Sequence, residues 1–341
     1  MTQADVIDRA VAVIGAGRDD DYILAPDRQA AALADQAPAL GRLLHTARID
    51  TYTKQYERHD RAARDAQNRF KAAMTWANGA VFTTGVLGAL IMVTTILGSL
   101  YWPDLMKPSL LVLGLVALIT GAAASMWLFK VREGKLLDEW MGERAHAETA
   151  RLAYFATLAQ LQDSGPSELP LGLLKLEYFR RYQLDMQITY YDQRRKQHRQ
   201  SADRTLAVGG FAAAIAAVAS GSAGVLASSS PSWSALAALG VVGTALAAYA
   251  ATREAVNGDH RNAERYGRTL SSLEILRAKL DEVRAGVLKG SQAVLDDYVA
   301  AVHEQLSLEH REWLSGAEST RSAIGKLDDT LAKLQEGEAG S

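Results

Sequence analysis

The sequence predicts an all-α membrane protein: two transmembrane helical hairpins, hence four spans, with long cytosolic helices before and after each hairpin. Three observations carry this. Residues 79–102, 109–129, 206–228 and 233–251 contain no Asp, Glu, Lys, Arg or His. Each stretch is close to the roughly 20 apolar residues that a helix needs to cross a bilayer core of about 30 Å. The stretches come in pairs whose connections, residues 103–108 and 229–232, are too short for anything but antiparallel hairpins, and Trp102, Trp127 and Trp233 stand at their ends, where amphipathic rings favour the membrane interface. Helices of that length in a water-soluble core would keep a polar stripe, and these do not.

Outside the spans the chain is densely charged, yet its 37 Lys and Arg nearly cancel its 39 Asp and Glu, so no nucleic-acid partner is expected. The absence of cysteine removes disulfides, thiolate nucleophiles and cysteine-based zinc sites together. Basic residues flank the long-segment ends of all four spans: Arg61, Arg64, Arg69 and Lys71; Lys130, Arg132, Lys135 and Arg144; Arg194 to Arg204; and Arg253 to Arg268. The two short connections hold only Lys107. By the positive-inside rule the termini and the middle segment are expected in the cytoplasm of a bacterial inner-membrane protein. No signal peptide is read, because the apolar N-terminal run is short and follows Asp5 and Asp8.

The elements follow in order. Residues 1–29 form an N-terminal segment containing Val11–Gly17, "VAVIGAG", which imitates a strand entering a dinucleotide-binding turn. A third glycine is missing, since Asp20 stands there, and the acids that follow would repel a pyrophosphate. Ala10–Gly17 is therefore read as a helix end capped by Gly15 or Gly17. Ala30–Trp76 reads as a long helical region, apart from Pro38 and Gly41, that runs into the first span. Leu171–Arg204 does the same before the third span, and helices return over Asp138–Gln162, Asn257–Ala285 and Gly290–Leu314. The Gly, Pro and Ser content of residues 163–170 marks a linker between residues 30–162 and 171–314. Residues 315–341 are read as a C-terminal helix with a small, polar, disordered tail.

The two halves look duplicated. The spacing of Tyr56 and Arg69 repeats in Tyr191 and Arg204, and "RAHAETARL" (Arg144–Leu152) echoes "HRNAERYGRTL" (His260–Leu270), matching Glu148 with Glu264.

Catalytic chemistry finds no foothold. None of the seven histidines stands in the zinc-hydrolase pattern, and they are read as scattered; His303 and His310 are read as solvated on one helix face. No Gly-x-Ser-x-Gly elbow exists, and no catalytic, cofactor-binding or metal-ligating residue is assigned. Coupled transport usually needs an ionisable group at depth, which the spans lack. A passive pore does not; Thr83, Thr84, Thr94, Thr95 and Ser99 are candidates to line one, although span hydroxyls often bond their own helix carbonyls. Small residues recur every four positions as Ala117, Gly121 and Ser125, as Ala213, Ala217 and Gly221, and as Gly240, Thr244 and Ala248, a spacing that brings helix backbones close either within a hairpin or between chains. The second hairpin, rich in Ala, Gly and Ser, is expected inside a homo-oligomer, with the Leu/Ile-rich first hairpin facing lipid.

"FRRYQLDMQITYYDQR" (Phe179–Arg194), with Gln187, Tyr190 and Tyr191, and "EQLSLEHREW" (Glu304–Trp313), with Glu304, Leu306, Glu309, His310 and Trp313, resemble two segments of the bacterial SLATT family, the SMODS- and SLOG-associating two-transmembrane effectors. Gln183 departs from the basic residue expected there. The first half looks like a second, more diverged unit of the same type. The resemblance implies cytosolic helices around a membrane hairpin, and an effector of bacterial conflict systems that damages the cell's own membrane on a nucleotide signal. Neither the synthase nor the sensor domain of such systems is visible, so control by a nucleotide second messenger would need another chain or a site on these helices. The expected activity is that of a regulated pore or membrane-disrupting effector, antiviral in role, with a non-conducting scaffold as the alternative; a constitutive channel would need a selectivity element that is not found.

Overall fold

The structure is a computed structural model that describes residues 2–17, 24–133 and 135–339. It is helical, with no strand among the described residues. Four helical runs, Ala47–Tyr101, Pro103–Gln160, Leu171–Leu226 and Pro231–Ala278, are long and apolar enough to cross a membrane. The protein is an all-α, multi-pass membrane protein.

Helix α1 (Gln3–Ile14) opens on a capping box. The Thr2 hydroxyl accepts from the Asp5 backbone N–H at 3.2 Å, and the Asp5 carboxylate accepts from the Thr2 N–H at 2.6 Å. It closes on Gly15 at φ 76°, a conformation that a Cβ would disfavour. The "VAVIGAG" stretch is thus the end of a capped helix; residues 18–23, which carry the acidic run, lie outside the described residues. Proline starts both α2 (Pro26–Leu33) and α3 (Pro38–Leu44). The helix expected over Ala30–Trp76 is therefore interrupted twice before α4 (Ala47–Tyr101) begins.

The chain divides into two compact units, and the division does not follow the linker at 163–170. One unit comprises residues 1–66, 138–197 and 262–314; the other comprises 67–137, 198–261 and 315–341. The charged helices of both halves therefore collect in one unit and the four spans in the other.

In the charged unit, α7 (Leu171–Phe179), a π-helical turn (Arg180–Asp185) and the start of α8 (Met186–Leu226) form one central helix, buried at nearly every position from Leu173 to Gln187. The sequence was expected to continue α-helically here. The π turn changes the phase of the helix, so that Arg180, Tyr182, Gln183 and Leu184 are all buried. Packed around it are α6 (Leu136–Gln160), α10 (Asp259–Ala278), α11 (Leu280–Leu288) and α12 (Gln292–Ala339). Tyr154, Phe155, Tyr178, Phe179 and Tyr298 supply the aromatic core. Lys175, buried on the same helix, donates to the Ala159 and Leu161 carbonyls at 2.5 and 3.0 Å, and so caps the C-terminus of α6.

In the membrane unit, the first hairpin turns on Trp102 alone. Pro103 begins α5 (Pro103–Glu133), so the connection is tighter than residues 103–108. The second hairpin turns through residues 227–230 and a 3₁₀ turn (Pro231–Leu236) into α9 (Ala237–Asn257). Three contacts order the bundle. Thr84 on α4 donates to Thr120 on α5 at 3.2 Å; Phe82 on α4 meets Tyr249 on α9 at 5.9 Å; and Gly243 on α9 lies against the Ala212–Ala216 backbone of α8. Large apolar side chains point away from these seams, with Leu111 76%, Leu206 77% and Val225 74% exposed. Such a surface would cost about 25 cal/mol per Å² in water and nothing in lipid tails. Gly258, at φ 60°, ends α9, and α10 begins at Asp259. The helix expected over Asn257–Ala285 is split into α10 and α11, and α12 continues helically to Ala339, where a loose tail was expected; Gly340 and Ser341 lie outside the described residues.

Candidate functional site

The charged unit brings together residues that the sequence spreads over five helices. On α8, Tyr190 and Tyr191 meet edge to face at 5.3 Å, and both pack on Tyr266 of α10. The Tyr191 hydroxyl donates to Glu309 of α12 at 3.2 Å, and Arg265 of α10 pairs with the same carboxylate at 3.0 Å. Next to Glu309 on α12, His310 stacks on Trp313, one turn further on, which meets Trp140 of α6 edge to face at 5.5 Å. Gln187 is buried, while Glu304 is exposed. Arg144 of α6 pairs with Glu148 at 2.6 Å and reaches Asp60 of α4 at 3.7 Å. Burial pushes the Glu309 carboxyl above its usual range, against the pull of Arg265 and with the help of Glu148. The result is a partly desolvated junction of aromatic rings and opposed charges, joining α4, α6, α8, α10 and α12.

A second network lies under the π turn. Glu177, fully buried, accepts from Arg180 at 2.6 Å and from the Nε and Nη2 of Arg284 at 2.7 and 3.1 Å. Arg180 also donates to Asp185 at 2.7 Å and to the Gly15 carbonyl at 2.9 Å, which ties down the end of α1. Arg151 of α6, also fully buried, donates to the Gln183 amide oxygen at 2.8 Å and to the Tyr182 carbonyl at 3.3 Å. This accounts for the departure at Gln183: a basic residue there would set a second cation against Arg151.

Two readings of the histidines need correction. His303 and His310 are not solvated: the Nε2 of each is sealed from solvent without a protein hydrogen-bond partner. His303 meets Phe179 of the aromatic core at 5.8 Å, and His310, two turns on, stacks on Trp313 at 5.7 Å. Burial depresses both rings, His303 to about 4 from an ordinary 6.5. A ring whose folded value lies below its unfolded one is protonated first in the unfolded chain. His303 therefore contributes stability that is complete above pH 6.5 and is lost as pH falls toward 4, on the order of 3 kcal/mol. His303→Leu is expected to flatten the acid limb of a thermal unfolding series run in detergent between about pH 7 and pH 5. An unchanged pH slope in the variant would remove this account. Nor are the histidines all scattered: His59, Glu143 and His146 lie together, with the His59 Nδ1 2.7 Å from the Glu143 carboxylate.

In the membrane unit, Thr83, Thr84, Thr95 and Ser99 bond carbonyls of their own helix at 2.9 to 3.0 Å. Thr83, Thr95 and Ser99 are exposed, Thr84 is buried against Thr120, and Thr94 is half-buried. Ala117 and Gly121 are buried and Ser125 is half-buried. Ala213, Ala217 and Gly221 face outward, as do Thr244 and Ala248; Gly240 is buried. Within the chain, the α8–α9 seam runs one residue over, through Ala212, Ala216 and Ser220 against Gly240 and Gly243. An Ala-rich helix repeats small residues in several registers, and only the partner helix selects among them.

The family model of the SMODS and SLOG-associating 2TM effector domain 1 matches residues 179–313. The matched segment begins at Phe179 and ends at Trp313, takes in the second hairpin, and contains the α8, α10 and α12 parts of the first network and Arg180, Gln183, Asp185 and Arg284 of the second, but not Glu177. Over this segment the chain is similar to a two-transmembrane effector domain. No curated protein and no solved structure matches the chain.

Proposed function

We propose that this protein is a homo-oligomeric effector of the bacterial inner membrane, with both termini in the cytoplasm, which opens a pore or disrupts the bilayer when a conflict system signals through a nucleotide or a separate sensor protein. The match of residues 179–313 to an effector domain, on a chain with four apolar spans, carries this reading. The first half is read as a diverged second unit. In each half a histidine before the hairpin joins an acid after it: His59 to Glu143 at 2.7 Å and His198 to Asp259 at 2.6 Å. The reading assigns no catalysis. The span hydroxyls bonded to their own helices favour a pore formed between chains over one lined within a chain.

The same observation keeps one other reading in view, a non-conducting scaffold whose helices recruit a partner. Liposomes loaded with a self-quenched dye and carrying the purified protein separate the two. Release of dye, in the presence or absence of cyclic or linear nucleotides, supports the effector. Intact liposomes under every condition, with the protein inserted and oligomeric, would support the scaffold instead.

A further inference from the structure

We propose that His59, Glu143 and His146 form a binding site for a first-row divalent metal ion of the zinc class, which joins α4 to α6 within the charged unit. Glu143 and His146 are three residues apart on α6 and so share one helix face, a Glu-x-x-His arrangement. His59 comes to that face from α4. Its ring centroid is 5.0 Å from that of His146, and one donor atom from each of the three residues lies within 4.8 Å of the other two.

The donor set selects the ion. Two imidazoles and a carboxylate are the N and O ligands that zinc takes, and three of them leave a fourth position for water. Calcium or magnesium would demand a shell of oxygens that these residues do not offer. Zinc bonds of about 2.1 Å set tetrahedral donors about 3.4 Å apart. His59 Nδ1 and Glu143 now stand at 2.7 Å and would open slightly, while the outer donor would close in. His146 is exposed, so its rotamer is free to do this. Arg144, the adjoining cation, is directed to Glu148 and Asp60, which leaves the Glu143 carboxylate to the histidines. An ion there would replace a single hydrogen bond between α4 and α6 by a coordinate link.

The test uses the full chain, expressed without a histidine tag, purified in detergent, stripped with chelator and titrated with zinc chloride. One zinc per chain is expected to survive desalting. His146→Ala, at an exposed position that folding does not require, is expected to weaken binding at least about tenfold. Glu143→Gln, which keeps an acceptor for His59 but removes the anion, should do the same. His198→Ala, in the corresponding pair of the second half, should bind as wild type. Failure of the wild-type chain to hold stoichiometric zinc would overturn the proposal, and so would equal binding by the His146 and Glu143 variants.

Discussion

Glu177→Gln is expected to unfold the charged unit at far lower temperature than wild type, with a loss on the order of 3 to 5 kcal/mol. The carboxylate has no access to solvent, and it is the anion shared by Arg180 and the bidentate Arg284. The amide keeps the shape but removes the anion that two nearly buried guanidinium groups share, leaving each one acid, Asp185 for Arg180 and the exposed Asp281 for Arg284. The loss would be mainly the cost of burying those under-compensated cations rather than the worth of the original pair. Glu168→Gln is the matched comparison. Its partner Arg9 and Glu168 itself are both solvated, at 51% and 75% exposure, so removing the charge should stay within about 0.5 kcal/mol. Thermal denaturation of both variants in the same detergent reads the contrast. Similar melting of the two would show that the network under the π turn does not hold the unit together. Gly15 should respond as well, since Arg180 anchors its carbonyl: α1 is expected to fray first in Glu177→Gln, seen as early loss of amide protection over residues 3–14.

The second large effect is in the membrane. Gly243→Ala is expected to disrupt the second hairpin, because the added Cβ would stand 2.7 Å from the Ala212 carbonyl oxygen and 2.8 Å from the Ala216 nitrogen. Both are backbone atoms, so no rotamer relieves the clash, and α8 and α9 must separate. Overpacking of this kind costs about 1 to 3 kcal/mol, and more for Gly243→Leu. Gly221→Ala, on the outward face of α8 with nothing within 4 Å of its Cβ, is expected to be neutral or slightly stabilising in a single chain. Resistance to heat in detergent, followed by the fraction of monodisperse protein, compares the three. If Gly221→Ala proves as damaging as Gly243→Ala, the outward stripe is itself a packing surface, as an oligomer would make it.

The sequence by itself determined what depends on sums along one helix. Four uncharged stretches of membrane-crossing length specify four spans, because the transfer of a helix into lipid adds residue by residue and needs no knowledge of neighbours. The same locality made the α1 cap legible as Gly15 or Gly17, of which the structure selects Gly15, and it let the Phe179–Arg194 and Glu304–Trp313 segments be recognised before their contacts were known.

The tertiary structure alone decided which of several equivalent positions meet. Ala212 and Ala213 have the same chemistry and the same four-residue repeat, yet one is sealed in the α8–α9 seam and the other faces outward, because only α9 supplies Gly240 and Gly243 opposite. His303 resembles any polar helix residue until Phe179 covers it, and Glu177 resembles any acid until two arginines from different elements converge on it. The Glu143-x-x-His146 spacing was present in the sequence, but it acquires meaning only when α4 delivers His59 to that face. Burial and coordination require atoms distant in the chain to be close in space, and the pattern within a single helix does not contain that distance.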